Sequence, residues 1–270
     1  MTLNIALIGA GRIGKVHAQA IMTAIPDATV VAVADFYADS AKQLAQQYNI
    51  GFHTDNHLEA INYKDVNAVI IASSTDTHAP FIIDSANAGK HIFCEKPIDA
   101  DLTKIDEALK VVADAGVQLQ VGFNRRFDPT FARIKQAIKN DEIGTPHLLH
   151  IISRDPSPPP IDYVKVSGGM FLDMSVHDFD MARFLFGDVE EVYATGAVLV
   201  DDAIGEAGDV DTAIITLKFA NGAIGTIDNS RQAVYGYDQR LEIFGSKGMS
   251  KIENSYADTQ HFFDKKGNHR

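Results

Sequence analysis

Three side chains in this sequence have the types and settings needed to move a proton beside a developing charge. Lys96 ends the apolar run Ile92-Phe93-Cys94-Glu95-Lys96-Pro97, and a cation at a strand end faces whatever the strand ends bind. Asp173 and His177 lie four apart in Gly168-Gly169-Met170-Phe171-Leu172-Asp173-Met174-Ser175-Val176-His177-Asp178-Phe179-Asp180, a glycine turn running into a helical pattern. That spacing puts both on one helix face, within mutual reach. A neutral imidazole can take a hydroxyl proton near neutral pH, where its unperturbed pKa lies. The Lys96 ammonium lowers the cost of an alkoxide forming beside it, or polarises a carbonyl in reverse. Asp173 could orient the imidazole, stabilise its cationic form, or bond a substrate hydroxyl. These parts suit the oxidation of a polyol CH–OH group, given a hydride acceptor.

The acceptor's site is written at the start of the chain. Gly9-Ala10-Gly11-Arg12-Ile13-Gly14 fits G-x-G-x-x-G directly after an apolar run and before a helical pattern, the context that gives this motif meaning. Gly9 permits the tight turn, Gly11 lets a pyrophosphate approach the backbone, and Gly14 lets helix and strand pack. Arg12 and Ile13 begin a helix whose orphan N–H groups and positive dipole end attract phosphate. Asp35 closes the next apolar run at the distance where a carboxylate binds a ribose 2′-hydroxyl. No arginine follows closely to receive a 2′-phosphate, so the cofactor expected is NAD. Ser73-Ser74-Thr75-Asp76-Thr77-His78 follows a third run and brings Ser74, Thr75 and His78 toward the nicotinamide side. Small polar residues there also serve as ordinary helix caps.

These positions need a scaffold of strands and covering helices. From Leu3 to Phe123 short apolar runs alternate with amphipathic stretches, the pattern of a parallel sheet. Strands are expected at Leu3–Ile8, Thr29–Ala34, Ala68–Ala72, His91–Glu95 and Gln118–Val121, with a weaker one near Phe52. Thr77 would cap a helix closing at Gly89, Asp101 one closing at Gly116, and Asp128-Pro129 would start one ending before Gly144. Beyond Gly144 the pattern gives a helix near Asp173–Phe186 and apolar runs at Thr212–Phe219, Ala223–Asp228, Arg240–Phe244 and Met249–Glu253. Asn221-Gly222 between two of them is a strong hairpin signal. The fold class expected is α/β: a Rossmann dinucleotide-binding domain over 1–123, then an α+β domain over 124–270 with an open, mainly antiparallel sheet. Pro156-Ser157-Pro158-Pro159-Pro160 suits a stiff loop, either beside a site or simply on the surface.

Composition narrows the partners. Net charge is −12, from 24 basic against 36 acidic residues, which disfavours nucleic acid and anionic membrane, since phosphate binding needs clustered cations. A single cysteine, Cys94, rules out an internal disulfide. It lies in an apolar run with no adjacent histidine, so it is not expected to act as a nucleophile. His177-Asp178-Phe179-Asp180 lacks a further His or Cys at ligand spacing, so no metal site is expected. The chain enters its first apolar run without a basic leader, and no run reaches membrane-spanning length. These features predict a cytoplasmic protein acting on a small molecule.

With Gly9–Gly14, Glu95-Lys96-Pro97 and Gly-Gly-x-Phe-x-Asp-x-x-x-His from Gly168 to His177 in this order, the chain resembles the glucose-fructose oxidoreductase, inositol dehydrogenase and rhizopine catabolism family (Gfo/Idh/MocA). The likeness runs from Leu3 to Glu253. Gly122-Phe123-Asn124-Arg125-Arg126-Phe127-Asp128, Ser153-Arg154-Asp155-Pro156 and Gly168–Phe184 are most similar to its inositol 2-dehydrogenases. By that resemblance the reaction is NAD-dependent oxidation of myo-inositol, or a related cyclitol, to the 2-keto compound. Another sugar or polyol is the alternative substrate. The resemblance makes Lys96, Asp173 and His177 a catalytic triad with His177 as general base. It also implies Asp155 and Tyr235 as substrate contacts, Arg125 or Arg126 on the cofactor side with Glu95, and a dimer or tetramer formed through the open sheet. Family members usually continue beyond the point matching Asn268-His269-Arg270, so a shortened C-terminal domain is expected. A nucleotide-binding protein impaired in turnover is the reading that this shortening would favour.

Overall fold

The alternating runs of the first 123 residues fold into six parallel strands with helices between them. The computed structural model describes residues 2–254 and the backbone of 262–264 and 267–269. The chain divides into two units, Met1–Phe123 and Asn124–Arg270.

In the first unit the order is β1 (Leu3–Ile8), α1 (Arg12–Ala24), β2 (Ala28–Ala34), α2 (Ala38–Tyr48), β3 (Phe52–Thr54), α3 (His57–Ile61), β4 (Ala68–Ile71), α4 (His78–Asn87), β5 (His91–Cys94), α5 (Leu102–Ala115) and β6 (Leu119–Val121). The sheet runs β3-β2-β1-β4-β5-β6, with every pairing parallel. Both faces of such a sheet are covered, so its strands must be apolar on both sides. Strand β1 shows this: Ala6 and Ile8 enter one core with Ile82 and Ala108, while Ile5 and Leu7 enter another with Ala18, Ile21 and Leu44. Strand order reverses between β1 and β4, and ligands of open α/β sheets bind outside the carboxyl ends at that point.

The expected helix starts at Asp101 and Asp128 are present as side-chain caps. Asp101 accepts from the Thr103 N–H at 2.8 Å, and Asp128 from the Thr130 N–H at 2.8 Å. Gly116 ends α5 in the left-handed region. Thr77 differs, because it makes no capping bond to α4. Its hydroxyl donates to the Ser74 carbonyl and meets Ser73 Oγ instead, drawing the loop after β4 into a single 3-10 turn.

The second unit comprises α6 (Pro129–Lys139), β7 (Pro146–Arg154), α7 (Ile161–Val164), a π-helical stretch Phe171–Ser175 leading into α8 (Val176–Phe186), β8 (Val189–Ala197), α9 (Asp202–Glu206), β9 (Thr212–Phe219), β10 (Ile224–Ser230), β11 (Asp238–Gly245) and β12 (Met249–Ile252). The sheet order is β12-β11-β7-β10-β9-β8. Only β7 and β10 pair in parallel, so the sheet is mainly antiparallel. Asn221-Gly222 joins β9 to β10, with Gly222 at φ +86° and Asn221 Oδ1 accepting from the Ala223 N–H at 3.0 Å.

Two strands were not evident in the apolar pattern. Central strand β7 carries the doublets Leu148-Leu149 and Ile151-Ile152, which blur its alternation, and β8 lies at an edge with most of its residues exposed. One sheet face buries Leu149, Ile151, Ile215, Leu217 and Ile243 with Met181 and Leu185 of α8. The other carries Leu148, Ile224, Phe244 and Met249 in one cross-strand row. The expected shortening beyond Asn268-His269-Arg270 concerns side chains outside the described residues.

Candidate active site

In the first unit the three glycines of the loop differ in the space around them. Gly9 sits at φ +101°, and a Cβ there would meet the Ala72 carbonyl oxygen at 2.4 Å. A Cβ on Gly14 would lie 1.9 Å from the Gly9 carbonyl oxygen, so helix α1 can approach the loop only without a side chain. Beside Gly11 nothing lies within 4 Å, which leaves the backbone open where a pyrophosphate must approach. Gly11 is the N-cap of α1, and Arg12 and Ile13 are exposed on its first turn.

A cavity of about 630 Å³ opens at these strand ends, lined by Gly9, Gly11, Asp35, Ser74 and residues of the surrounding loops. Asp35 is fixed at its edge. One carboxylate oxygen accepts from the Ala10 N–H at 2.6 Å and the other from the Tyr37 N–H at 2.8 Å. The donor set, the open flank of Gly11 and the acid at the end of β2 fit NAD. Sequence reasoning missed His57 and Phe81 of this cavity, whose rings stack at 4.0 Å. His57 Nε2 bonds Asp84 at 2.8 Å. The signal available was position, since His57 follows the short strand β3.

The loops after β4 and β5 treat the remaining expected residues differently. Thr75 is half-buried in the 3-10 turn. His78, expected to reach the cofactor, is instead 2% exposed. Its Nδ1 lies 2.7 Å from the Pro97 carbonyl oxygen and its Nε2 3.2 Å from that of Ser73. Both ring nitrogens thus face backbone carbonyls inside the fold, which corrects that expectation. Lys96 follows β5, and the Lys96–Pro97 peptide is cis. Glu95 accepts from His17 Nε2 at 2.7 Å. Burial pushes the Glu95 carboxyl up, but His17, the Lys96 N–H and the Lys96 charge together hold it below its ordinary value. Cys94 is fully buried, and burial, then the Glu95 charge, push its thiol far up. That suppresses the thiolate a nucleophile would need.

In the second unit Asp173 occupies the π-helical stretch and His177 the first turn of α8. Single π turns inside helices recur at functional sites. Asp173 accepts from the Tyr163 hydroxyl at 2.8 Å and from Arg231 Nη1 at 3.0 Å. Arg231 is 1% exposed and has Asp209 at 3.6 Å on its other side. Asp209 in turn accepts from the Met170 N–H, so one buried guanidinium ties down both the glycine turn and the acid. Sequence reasoning missed Arg231, because a lone arginine just past a strand gives no sign that it turns inward.

Asp155 belongs to the same electrostatic neighbourhood. Burial raises its pKa, Arg231 opposes this, and the Asp173 charge raises it again, for a net upward shift. Asp178, next to His177, is fully buried and binds Arg125 Nη1 at 2.5 Å and Asn229 Nδ2 at 2.8 Å. Arg125 also donates to Ser153 Oγ at 3.2 Å. These contacts make Arg125 an anchor for helix α8, where a cofactor contact was expected. Arg126 pairs with Asp180. The Tyr235 hydroxyl donates to Asp238 at 2.7 Å and accepts from Arg154 Nη1 at 3.1 Å, while its ring is exposed.

Comparison with known proteins agrees with this arrangement. Residues 3–123 match the model of an oxidoreductase family with an NAD-binding Rossmann fold, and residues 131–251 match the GFO/IDH/MocA C-terminal domain. The chain is 48% identical to the myo-inositol 2-dehydrogenase of Thermotoga maritima, over 98% of this chain and 79% of that one. It is 52% identical to the inositol 2-dehydrogenase of Rhizobium meliloti, over 94% and 76%. Among solved structures it superposes on the scyllo-inositol dehydrogenase of Lactobacillus casei with bound NAD(H) and scyllo-inositol, with TM-score 0.90 and 30% identity over 100% of this chain and 82% of the other. With both units matched and the glycine loop intact, the chain belongs to the GFO/IDH/MocA oxidoreductase family, and its cofactor is NAD.

Proposed function

We propose that this protein is an inositol 2-dehydrogenase that oxidises myo-inositol to its 2-keto derivative. The observation carrying this reading is the 48–52% identity, across nearly the whole chain, to relatives bearing that name. NAD, when bound, accepts the hydride from the carbinol carbon. Gly9, Gly11, Gly14 and the first turn of α1 hold its phosphates, and Asp35 bonds its ribose hydroxyls. An imidazole nitrogen of His177 takes the proton from the substrate hydroxyl oxygen, and Lys96 stabilises the negative charge left there. Asp173, held in place by the Arg231 guanidinium, accepts from a substrate hydroxyl or supports the imidazolium. Asp155 offers a second hydroxyl contact. A scyllo-inositol substrate is the second reading, favoured by the likeness to the Lactobacillus casei enzyme.

Absorbance at 340 nm during incubation with NAD and a panel of inositol isomers tests the proposal. NADH should form fastest with myo-inositol and be lost in Lys96→Ala and His177→Ala. Undiminished turnover in both variants would end the assignment of roles, and a preference for scyllo-inositol would transfer the substrate.

We further infer a homo-oligomer assembled through the open sheet face. Ile224, Phe244 and Met249 are each 45–50% exposed there, and Tyr193 of the same face is more exposed still. A patch of this kind on a soluble protein marks an interaction surface. Phe244→Glu should reduce the mass measured by light scattering. No helix among the described residues is long and apolar enough to cross a membrane. The lone buried Cys94 and the use of NAD favour the cytoplasm as the place of reaction.

A further inference from the structure

We propose that His17 and His78 are positioning residues for Lys96, each acting through one of its two chain neighbours. The inference rests on the reading of Lys96 as catalytic.

Lys96 is the first residue beyond the ladder of β5. Up to that point the backbone is fixed from both sides: the Glu95 N–H donates to the Ile71 carbonyl at 2.9 Å, and the Gly122 N–H donates to the Cys94 carbonyl at 2.8 Å. Beyond it, the two chain neighbours Glu95 and Pro97 each meet a histidine. The Glu95 side chain is held at one oxygen by a histidine and lies close over Gly122 at the other. His17 Nε2 lies 2.7 Å from one oxygen, and a Cβ on Gly122 would come within 3.0 Å of the other. His17 is itself held edge-on against Phe93, with ring centroids 5.2 Å apart. On the far side the Pro97 carbonyl accepts from His78 Nδ1 at 2.7 Å. A carbonyl can only accept, so that ring carries a proton on Nδ1. The buried ring packs between the Lys96 loop and the end of β4, with Nε2 3.2 Å from the Ser73 carbonyl oxygen.

The two braces arise from different elements, His17 from α1 and His78 from the first turn of α4. Helix α1 also begins at the glycine loop, so the brace on Glu95 shares a rigid body with the phosphate-binding backbone. Displacing a catalytic group by about 1 Å costs on the order of 100-fold in rate. Removing either brace should therefore slow the chemical step and leave cofactor affinity intact.

The test uses the full chain in stopped-flow with NAD and myo-inositol, following the rate constant and amplitude of NADH formation, with NADH affinity measured by fluorescence. His17→Ala and His78→Ala should each lower the rate constant about 10- to 100-fold, with the dissociation constant for NADH unchanged. His17→Gln keeps a donor where Nε2 stood, and His78→Asn keeps one where Nδ1 stood. Both should recover most of the rate. A merely structural role would reduce amplitude in the alanine variants and leave the rate constant of the folded fraction unmoved, which would overturn the proposal. So would alanine and conservative variants that are equally slow. If Lys96→Ala kept the parent rate constant, the reading of Lys96 would fall and this inference with it. If Lys96→Ala were inactive while both alanine variants matched the parent, the inference alone would fall.

Discussion

The loop after β1 and the segment around Asp173 prepare for ligands in opposite ways. In the first unit the work is done by missing side chains: Gly9 and Gly14 have no room for a Cβ, and Gly11 leaves a flank open. Phosphate recognition is therefore built into backbone amides and a helix end, and is as rigid as the sheet that carries them. In the second unit it is done by charged side chains wired to one another. Arg231 holds Asp173 and faces Asp209, and Arg125 holds Asp178 with help from Ser153. Backbone sites tolerate almost no added atoms but need no partner. Side-chain sites accept different shapes, but each member depends on its neighbours.

The largest effect should come from crowding the backbone site. Gly14→Ala places a methyl where the Gly9 carbonyl stands, so NADH binding measured by fluorescence should be abolished. Retained binding would show that the loop is more yielding than the contrast requires. Next is Arg231→Leu, which removes the buried guanidinium that both Asp173 and Asp209 face. Breaking such a pair costs about 3–5 kcal/mol, read as a lower urea midpoint, with loss of turnover in the fraction that stays folded. Unchanged stability would mean that the second unit does not lean on its ion pairs.

Asp35→Ser tests a side chain at the edge of the dinucleotide site. A hydrogen bond to a charged group contributes about 1.5–3 kcal/mol, so the dissociation constant for NADH should rise roughly 10- to 100-fold. Smallest is Asp155→Asn. A carboxyl whose folded pKa is raised binds its proton more tightly when folded, so stability falls as pH climbs from the ordinary carboxylate value through the folded one. With Asp155 shifted upward, the Asn variant should melt slightly higher than the parent at pH 7. The gain should vanish below the ordinary carboxylate range. A constant gain at every pH would separate it from ionisation.

The same contrast explains what could be read from the chain. The glycine loop, Asp35 and the caps at Asp101 and Asp128 are local devices, in which residue type and spacing nearly determine geometry. The Asn221-Gly222 hairpin is another. Strand β7, although central, escaped because its apolar doublets hide the two-residue period. His78 misled because polarity at a strand end suggests a ligand, whereas the fold directs both its nitrogens to carbonyl groups. Arg231 and Arg125 were illegible in a stronger sense, because their partners lie 58 and 53 residues away. Asp173 and His177 stood out as candidates by residue type and spacing, although the π-helical stretch that carries Asp173 did not. What holds them was not legible.

Cys94 has a practical consequence of its own. It is the chain's one thiol, buried in β5 and disfavoured as thiolate. A thiol reagent can reach it only when the dinucleotide-binding unit opens, so the labelling rate is a clock for that unit alone. The second unit carries no cysteine and stays silent in such an experiment. The protective effect of NAD on one half of the molecule can therefore be timed without mutating a residue.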